Sequence, residues 1–169
     1  MIFFVFLLKD QYKKKKMIKK YTQEEFINNE DVFQKCEEIF LEKFYLEVIL
    51  DCEEVSDLTF FTMEKDEKII GWGSYQTGLF YVIEIVFERE YEGTHYQIEL
   101  LKHLINEIGE EESIYVYQAF NRDYEFYYKN GFELYKDYGQ FFTPGSDYTR
   151  YILQLKNKNF YGYQNNETN

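Results

Sequence analysis

The sequence has few residues that interrupt helices and strands, form disulfides or bind metal ions. Its 169 residues include one proline, two cysteines and two histidines. A single proline argues against long irregular linkers, and two cysteines are too few for a disulfide framework. Neither histidine has a cysteine or aspartate partner at metal-ligand spacing, so we expect no metal site. The predicted protein is cytoplasmic, with reduced thiols that serve as small core residues.

Long hydrophobic runs are also lacking. The N-terminal apolar run, Ile2 to Leu8, has seven residues, whereas a membrane-spanning helix needs about 20. Lysines follow this run instead of preceding it, and no small-residue cleavage site is present, so it does not resemble a signal peptide. We therefore predict no membrane span. Residues 1–16 are interpreted as an apolar and basic N-terminal extension, with an added strand as the alternative.

Positive charge is scarce beyond the first 20 residues. The formal net charge is −12, yet residues 1–20 carry seven lysines and one aspartate. The first 20 residues therefore contribute +6 and the remainder −18. An acidic body argues against nucleic acid as a partner, because phosphates require lysine and arginine. It suits either a cationic ligand or a solvated surface.

Aromatic residues, in contrast, are abundant. Hydrophobic residues make up 45% of the chain and aromatics 21%, with 18 tyrosines and 17 phenylalanines. This is enough to form the core of one domain, which a chain of this length fits. We assign that domain to residues 17–155 and a flexible polar tail to residues 156–169.

The hydrophobic spacing alternates between the periods of strands and helices. This order is typical of an α/β (α+β) domain, a single sheet flanked by helices. The predicted strands are 18–26, 58–63, 68–75, 79–87, 114–117, 133–138 and 148–155, and helices are predicted from Asn29, from Gly93 to Gly109, and from Asn121 or Asp123 to Gly131.

The junction at Gly93 is a candidate anion site. A strand ends just before it, and Thr94-His95-Tyr96-Gln97 then has the form of a capping box. The N–H groups at the start of a helix have no intrahelical acceptors, and the helix dipole favours negative charge there.

The segment that follows the next strand has a recognisable pattern. An asparagine precedes a helix that ends in Tyr-x-Lys-x-Gly-Phe, without gaps. This pattern resembles the signature of the GNAT acetyltransferase superfamily, and the resemblance extends over roughly Met17 to Leu155. The matching positions are Asn121, Tyr127, Lys129, Gly131 and Phe132.

This resemblance implies a mixed, mostly antiparallel sheet whose central strands, 79–87 and 114–117, splay apart. It also implies that acetyl-CoA lies in the opening, with its pantetheine on the main chain and its pyrophosphate at the following helix start. The implied cofactor positions are Ile85, Phe87, Glu92, Gly93, Thr94, His95, Tyr96, Gln97 and Asn121.

The resemblance further implies two catalytic residues. Tyr127 matches the tyrosine that gives a proton to the departing thiolate, and Glu84 matches a carboxylate that acts as base. An amine must lose its proton to act as a nucleophile, so a base is required. Transfer is expected to be direct, because neither Cys36 nor Cys52 lies near the motif. Alternatively, Tyr127 is a core or interface tyrosine, and Glu84 lies on a solvent-facing side of its strand.

The phosphate loop departs from the family pattern, which reads Arg/Gln-x-x-Gly-x-Gly/Ala. The corresponding residues here are Glu92, His95 and Gln97. Glycines at these positions allow the backbone to approach phosphates closely. Glu92 would repel a pyrophosphate by about 1 kcal/mol in water and by several in a partly buried site. Arg89 and a protonated His95 are the candidates for compensation.

Two functions remain open. The first is transfer of an acetyl group from acetyl-CoA to a primary amine, with a cationic acceptor such as a polyamine, an aminoglycoside or an amino terminus. The alternative is a catalytically inactive binding module of the same fold that docks on a basic partner. The oligomeric state is also open, a homodimer being one alternative.

Overall fold

The computed structural model describes residues 17–44, 57–78, 81–109, 113–140 and 148–156. The predicted N-terminal extension, the tail beyond Lys156, the segment around Pro144 and any continuation of the first long helix beyond Phe44 lie outside these ranges. The predicted domain boundaries therefore stay predictions.

The predicted strands and helices occur in the predicted order, with one further α-helix after the first strand and a 3₁₀ helix after the fourth strand. The elements are β1 Met17–Thr22, α1 Gln23–Asn28, α2 Glu30–Phe44, β2 Leu58–Lys65, β3 Lys68–Gln76, β4 Tyr81–Phe87, a short 3₁₀ helix Arg89–Tyr91, α3 His95–Ile108, β5 Ile114–Phe120, α4 Asn121–Lys129, β6 Phe132–Gln140 and β7 Tyr148–Leu155.

The first strand is shorter than the sequence predicted. We expected it to extend to Phe26, but it ends at Thr22, where α1 begins. The cause is a capping box: the Glu25 N–H donates to the Thr22 hydroxyl (3.2 Å), and the Thr22 N–H donates to the Glu25 carboxylate (2.8 Å). The helical turn that follows buries Phe26.

The seven strands form one sheet in the order β1-β2-β3-β4-β5-β7-β6. Each neighbouring pair is antiparallel except β4 and β5, which are parallel. The predicted mixed, mostly antiparallel sheet flanked by helices is confirmed.

The two parallel strands separate after a short contact. β4 and β5 pair at three positions only, the last being Ile83 with Val116. β4 then continues to Phe87 while paired with β3, and β5 continues while paired with β7. Beyond Ile83, no described strand covers the β5-facing edge of β4. The predicted splay of the central strands is therefore confirmed, and it opens at Glu84.

The sheet separates two hydrophobic clusters. Alternate residues of β4 point to opposite faces, so Ile83, Ile85 and Phe87 pack towards α3, whereas Val86 packs towards α1 and α2. The α3 face also includes Leu100, Leu104, Tyr127 and Phe132. The other face includes Phe26, Cys36, Phe60 and Trp72.

Gly71 and Gly73 lie inside the predicted strand 68–75, where glycines indicate close approach or a bulge. A Cβ at Gly73 would lie 2.9 Å from a methyl carbon of Leu104 on α3, and one at Gly71 would lie 2.5 Å from the Phe87 ring. The register of β2 against β3 also shifts between Met63 and Glu64, opposite Gly71. Gly73 therefore lets α3 pack close to β3, and Gly71 leaves room for the Phe87 ring of β4.

Cys36 lies in the core on the α1/α2 face. The Trp72 indole N–H donates to the main-chain oxygen of Cys36 at 3.1 Å, and burial raises the pKa of the Cys36 thiol to about 12. A thiol with such a pKa is a poor nucleophile. Cys36 therefore has the structural role that the sequence predicted, whereas Cys52 lies outside the described residues.

Thr62 offers a test of this packing. Its hydroxyl is completely buried, and no hydrogen-bond partner for it lies within the described part of the chain. We expect Thr62→Val to raise the free energy of unfolding by about 1 kcal/mol, because it removes an unsatisfied polar atom without changing the side-chain shape. Denaturant titration measures this change. Thr59→Val, at a half-buried position of the same strand, should change stability by less than about 0.5 kcal/mol. A destabilised Thr62→Val variant would contradict the prediction.

Candidate active site where two strands diverge

Tyr127 reaches the opening between β4 and β5 from α4. Its side chain is 2% exposed, and its ring packs edge-on against Phe132, with 5.4 Å between centroids. Its hydroxyl accepts a hydrogen bond from the main-chain N–H of Ile85. Ile85 lies just beyond the point where the strands separate, so the hydroxyl lies at the uncovered edge of β4.

The surroundings of Tyr127 keep its hydroxyl protonated. Burial is the main cause that holds the pKa of Tyr127 well above its ordinary value, and the negative charges of Asp123 and Glu84 act in the same direction. The hydrogen bond from Ile85 opposes them only in part. At physiological pH this phenol can therefore give a proton but cannot act as a base.

Glu84 lies on β4, one residue beyond the last β4–β5 pair. Its neighbours Ile83 and Ile85 face the α3 cluster, so its side chain points to the opposite face, where it is exposed. The sequence had left open whether this acid is buried. The structure shows that it faces solvent, and its negative charge contributes to the raised pKa of Tyr127.

The two predicted pantetheine positions can contribute only their main chains. The side chains of Ile85 and Phe87 are buried in the α3-face cluster. Their backbones, however, belong to the part of β4 that β5 leaves uncovered. This arrangement suits an extended ligand that hydrogen-bonds to a strand edge, and these contacts stay predictions.

The loop between β4 and α3 turns at Gly93. The φ angle of Gly93 is +71°, and no atom lies within 4 Å of a Cβ built there. Backbone conformation, and not lack of space, therefore requires glycine at this position. His95, Tyr96 and Gln97 form the first turn of α3 after the turn at Gly93.

The predicted capping box at this helix is wrong. The Thr94 hydroxyl donates to the main-chain oxygen of Tyr91 at 2.7 Å and caps no helix N–H. The Gln97 amide oxygen accepts the N–H of Gly93 at 2.6 Å instead of that of Thr94. The 3₁₀ helix before Gly93 causes this change, because it brings the Tyr91 carbonyl within reach of the Thr94 hydroxyl.

Three consecutive N–H groups of this loop already have acceptors within the chain. Those of Glu92 and Thr94 donate to the main-chain oxygens of Arg89 (3.4 Å) and Tyr91 (3.3 Å), and that of Gly93 donates to Gln97. The predicted anion site therefore keeps the position of a helix start but has fewer available donors than the sequence implied.

A lysine that the sequence analysis did not single out lies against this loop. The Lys65 ammonium is 4.8 Å from the centre of the Tyr91 ring, 5.6 Å from that of Tyr96 and 3.4 Å from the Tyr91 hydroxyl. Its pKa is raised mainly by the hydrogen bond to Tyr91. Lys65 belongs to the distant strand β2, so no local pattern indicated it. Arg89 and His95, the predicted compensating residues, are both exposed.

The signature segment folds as the sequence predicted. α4 begins at Asn121, directly after β5, and Gly131, with a φ angle of +89°, follows its end. Asn130 secures this end, because its side-chain amide donates to the main-chain oxygen of Phe126 at 2.7 Å. Only the backbone of Asn121 is described, so its predicted role in cofactor binding stays a prediction.

The sheet order and the separation of β4 from β5 agree with the fold that the signature segment implied. A sequence model of the acetyltransferase (GNAT) family matches residues 18–132. Because this match covers more than half of the chain, the protein belongs to the GNAT acetyltransferase family.

Solved structures agree on the fold. The chain is similar to an aminoglycoside 6'-N-acetyltransferase complexed with coenzyme A (TM-score 0.64, 13% identity, 82% of this chain and 95% of that one). It is also similar to an acyl-CoA N-acyltransferase from Pseudomonas aeruginosa (TM-score 0.64, 11% identity, 84% of this chain and 100% of that one). A third similar structure is that of a putative GNAT acetyltransferase from Bacteroides thetaiotaomicron (TM-score 0.59, 20% identity, 83% of this chain and 87% of that one). No curated protein sequence matches the chain.

The site fits one end of a CoA thioester better than the other. The strand edge and Tyr127 suit the pantetheine and the thioester sulfur. At the predicted pyrophosphate position, the N–H of Gly93 is occupied by Gln97 and the half-buried Glu92 adds negative charge, so a diphosphate fits there less well.

The described residues contain no group of three or more histidine, cysteine, aspartate or glutamate side chains that could hold a metal ion. They also contain no helix long and apolar enough to cross a membrane.

Proposed function

We propose that the protein transfers an acetyl group from acetyl-CoA to a primary amine. Membership of the GNAT family supports N-acyl transfer in general. The observation that carries the specific proposal is the Tyr127 hydroxyl, which is buried, protonated and hydrogen-bonded to Ile85 where β4 and β5 separate.

The proposed reaction is direct acyl transfer. The amine nitrogen bonds to the carbonyl carbon of the thioester, and the carbon–sulfur bond breaks. Glu84 accepts the proton that the amine loses, directly or through a water, and Tyr127 gives its proton to the leaving sulfur. Main-chain N–H groups on the uncovered edge of β4, apart from that of Ile85, which donates to Tyr127, are the candidate donors for the oxyanion that forms during the reaction.

The acid and the base lie on opposite faces of the sheet. Tyr127 belongs to the α3 face, whereas Glu84 points to the face of α1 and α2. An amine that approaches from the Glu84 side and a thiol that leaves on the Tyr127 side would therefore use the same opening without competing for space. This separation supports direct transfer, as does the burial of Cys36 on the α1/α2 face.

The proposed acceptor is cationic, because residues 21–169 carry a formal charge of −18. A negative body attracts polyamines, aminoglycosides and other positively charged amines and speeds their association. Of the comparison proteins, one is named as an aminoglycoside acetyltransferase, and its 13% identity supports the fold alone.

A second candidate function is a binding module of the same fold that transfers no acyl group. The occupied N–H of Gly93 and the negative charge of Glu92 favour it. Such a module would use its acidic surface to dock on a basic partner. The cytoplasmic location and a homodimeric state stay predictions under either function.

Ligand-dependent stability separates the two candidates. We expect millimolar acetyl-CoA to raise the melting temperature, since a ligand that binds only the native state stabilises it by about 2.7 kcal/mol at 100 times its Kd. Addition of spermidine, an aminoglycoside or a short peptide should then release free thiol from acetyl-CoA. Differential scanning fluorimetry and a thiol assay measure the two effects.

ATP is the matched control for this experiment, because it carries nucleotide phosphates without pantetheine. We expect it to leave the melting temperature unchanged. If acetyl-CoA neither stabilises the protein nor loses its acyl group to any of these amines, the enzyme proposal fails and the binding module remains.

A further inference from the structure

Gln97 occupies an unusual position for a side chain in the first turn of a helix. Its side chain is 3% exposed and folds back towards the preceding loop. There its amide oxygen lies 2.6 Å from the main-chain nitrogen of Gly93. This contact is a short hydrogen bond between a buried side chain and a loop N–H.

The bond to Gly93 differs from those of its two neighbours in the loop. The N–H groups of Glu92 and Thr94 donate to main-chain carbonyls of the 3₁₀ segment, at Arg89 and Tyr91. Those acceptors are fixed by the backbone. The acceptor for Gly93 is a side-chain atom, so the identity of residue 97 decides whether this N–H is available to a ligand.

The charge of the loop explains why a neutral acceptor is suitable here. Residues 88–92 contain three glutamates and one arginine, and Lys35 pairs with Glu88 at 2.8 Å. An uncharged amide oxygen satisfies the Gly93 N–H without repulsion from Glu92. A diphosphate oxygen in the same place would meet that repulsion.

We infer that Gln97 is a specificity-determining residue for the acyl donor. Its amide oxygen takes the position of a diphosphate oxygen, so the donor is recognised through its pantetheine thioester and gains little affinity from its nucleotide diphosphate. This inference rests on the proposed function, because it concerns the donor of the same reaction.

A substitution can test Gln97 without disturbing the helix. Residue 97 is in the first turn of α3, where alanine is well tolerated. Gln97→Ala removes the acceptor and exposes the Gly93 N–H to ligand. No atom lies within 4 Å of a Cβ built on Gly93, so the loop is open on the side to which that Cβ would point.

The experiment compares acetyl-CoA with acetyl-pantetheine, which has the same thioester and arm but no nucleotide diphosphate. In the unmodified protein we expect the two dissociation constants to differ by less than about tenfold. In Gln97→Ala, acetyl-CoA should bind about tenfold tighter or more, because a charge-assisted hydrogen bond becomes available. Binding of acetyl-pantetheine should stay the same. Isothermal calorimetry measures both constants.

Two further variants keep the result interpretable. Gln97→Glu retains the side-chain length and the acceptor oxygen but adds a negative charge. We therefore expect it to weaken the binding of acetyl-CoA several-fold and to leave the binding of acetyl-pantetheine unchanged. This variant carries the test if Gln97→Ala does not fold. Asn106→Ala replaces an exposed residue of the same helix and should leave both constants unchanged.

The outcomes separate the inference from the function on which it rests. If neither ligand binds to any variant, the proposed function fails and the inference fails with it. If both ligands bind but acetyl-CoA already binds more than about tenfold tighter than acetyl-pantetheine, the inference alone is overturned. It is also overturned if neither substitution of Gln97 changes the ratio of the two constants.

Discussion

Replacing Tyr127 by phenylalanine is expected to lower kcat by about 10²- to 10⁴-fold, the usual contribution of a positioned acid or base. The substitution removes one oxygen and leaves the ring packed against Phe132. The sulfur would then leave as a thiolate or take its proton from water. The affinity for the donor should change by less than about threefold, because the pantetheine contacts proposed for β4 involve its main chain. Steady-state kinetics with a thiol assay measures both parameters.

Tyr128→Phe is a matched control, since Tyr128 is the next residue of α4 and is 60% exposed. We expect its kcat to stay within about twofold of that of the unmodified protein. Tyr127→Phe also leaves the Ile85 N–H without its acceptor, so a stability loss of about 1 kcal/mol is expected. Kinetics are therefore measured well below the melting temperature of the variant. An unchanged kcat in Tyr127→Phe would remove Tyr127 from its proposed role and favour a purely structural tyrosine.

Replacing Glu84 by glutamine is expected to lower kcat/KM by about 10²- to 10⁴-fold at neutral pH. At this pH an alkyl amine with an ordinary pKa of about 10.4 is almost entirely protonated, so a base must remove its proton. As pH rises, a growing fraction of the acceptor reacts without that help. The loss should therefore shrink between pH 7 and pH 9.5, and the pH dependence of kcat/KM for both proteins measures this.

This pH range leaves the proposed acid unaffected. The ordinary pKa of tyrosine is about 10, and that of Tyr127 is raised well above this value. Tyr127 therefore stays protonated throughout the titration, and a change in slope reports on the acceptor and on Glu84. Above pH 10 the free energy of unfolding should fall. Tyr127 would lose its proton in the unfolded chain, where its pKa is ordinary, but would keep it in the native state, so high pH favours unfolding.

Glu133→Gln is the control for Glu84, because Glu133 is an exposed acid of β6 outside the proposed site. We expect its pH profile to match that of the unmodified protein. A constant loss across the pH range in Glu84→Gln would show that Glu84 orients the substrate and does not accept its proton. A variant with full activity at pH 7 would exclude Glu84 from the mechanism.

The sequence predicted features that depend on neighbours close along the chain. The spacing from Asn121 to Phe132 indicated a helix and its end at Gly131, and the structure has both. Gly71 and Gly73 indicated close approach within a strand, which the distances to Phe87 and Leu104 confirm. These features could be predicted because the repeat of a helix or strand fixes where nearby side chains point.

The same local reasoning was wrong where two patterns competed. Thr94 and Gln97 have the spacing of a capping box, yet the Thr94 hydroxyl bonds to Tyr91 and the Gln97 amide bonds to Gly93. The spacing restricted which groups could meet, but the 3₁₀ turn before the helix decided which of them did. In the same way, Thr22 and Glu25 form a capping box that ends the first strand earlier than its apolar pattern suggested.

By itself, the sequence determined the order of the elements, the family and the candidate acid on α4. Only the tertiary structure decided where β4 separates from β5, that Glu84 faces solvent, that Lys65 lies on Tyr91 and that Gln97 occupies the N–H of Gly93. The first group depends on backbone periodicity and short-range spacing. The second depends on strand register and on the choice among several available hydrogen-bond partners, which are fixed only when distant segments pack together.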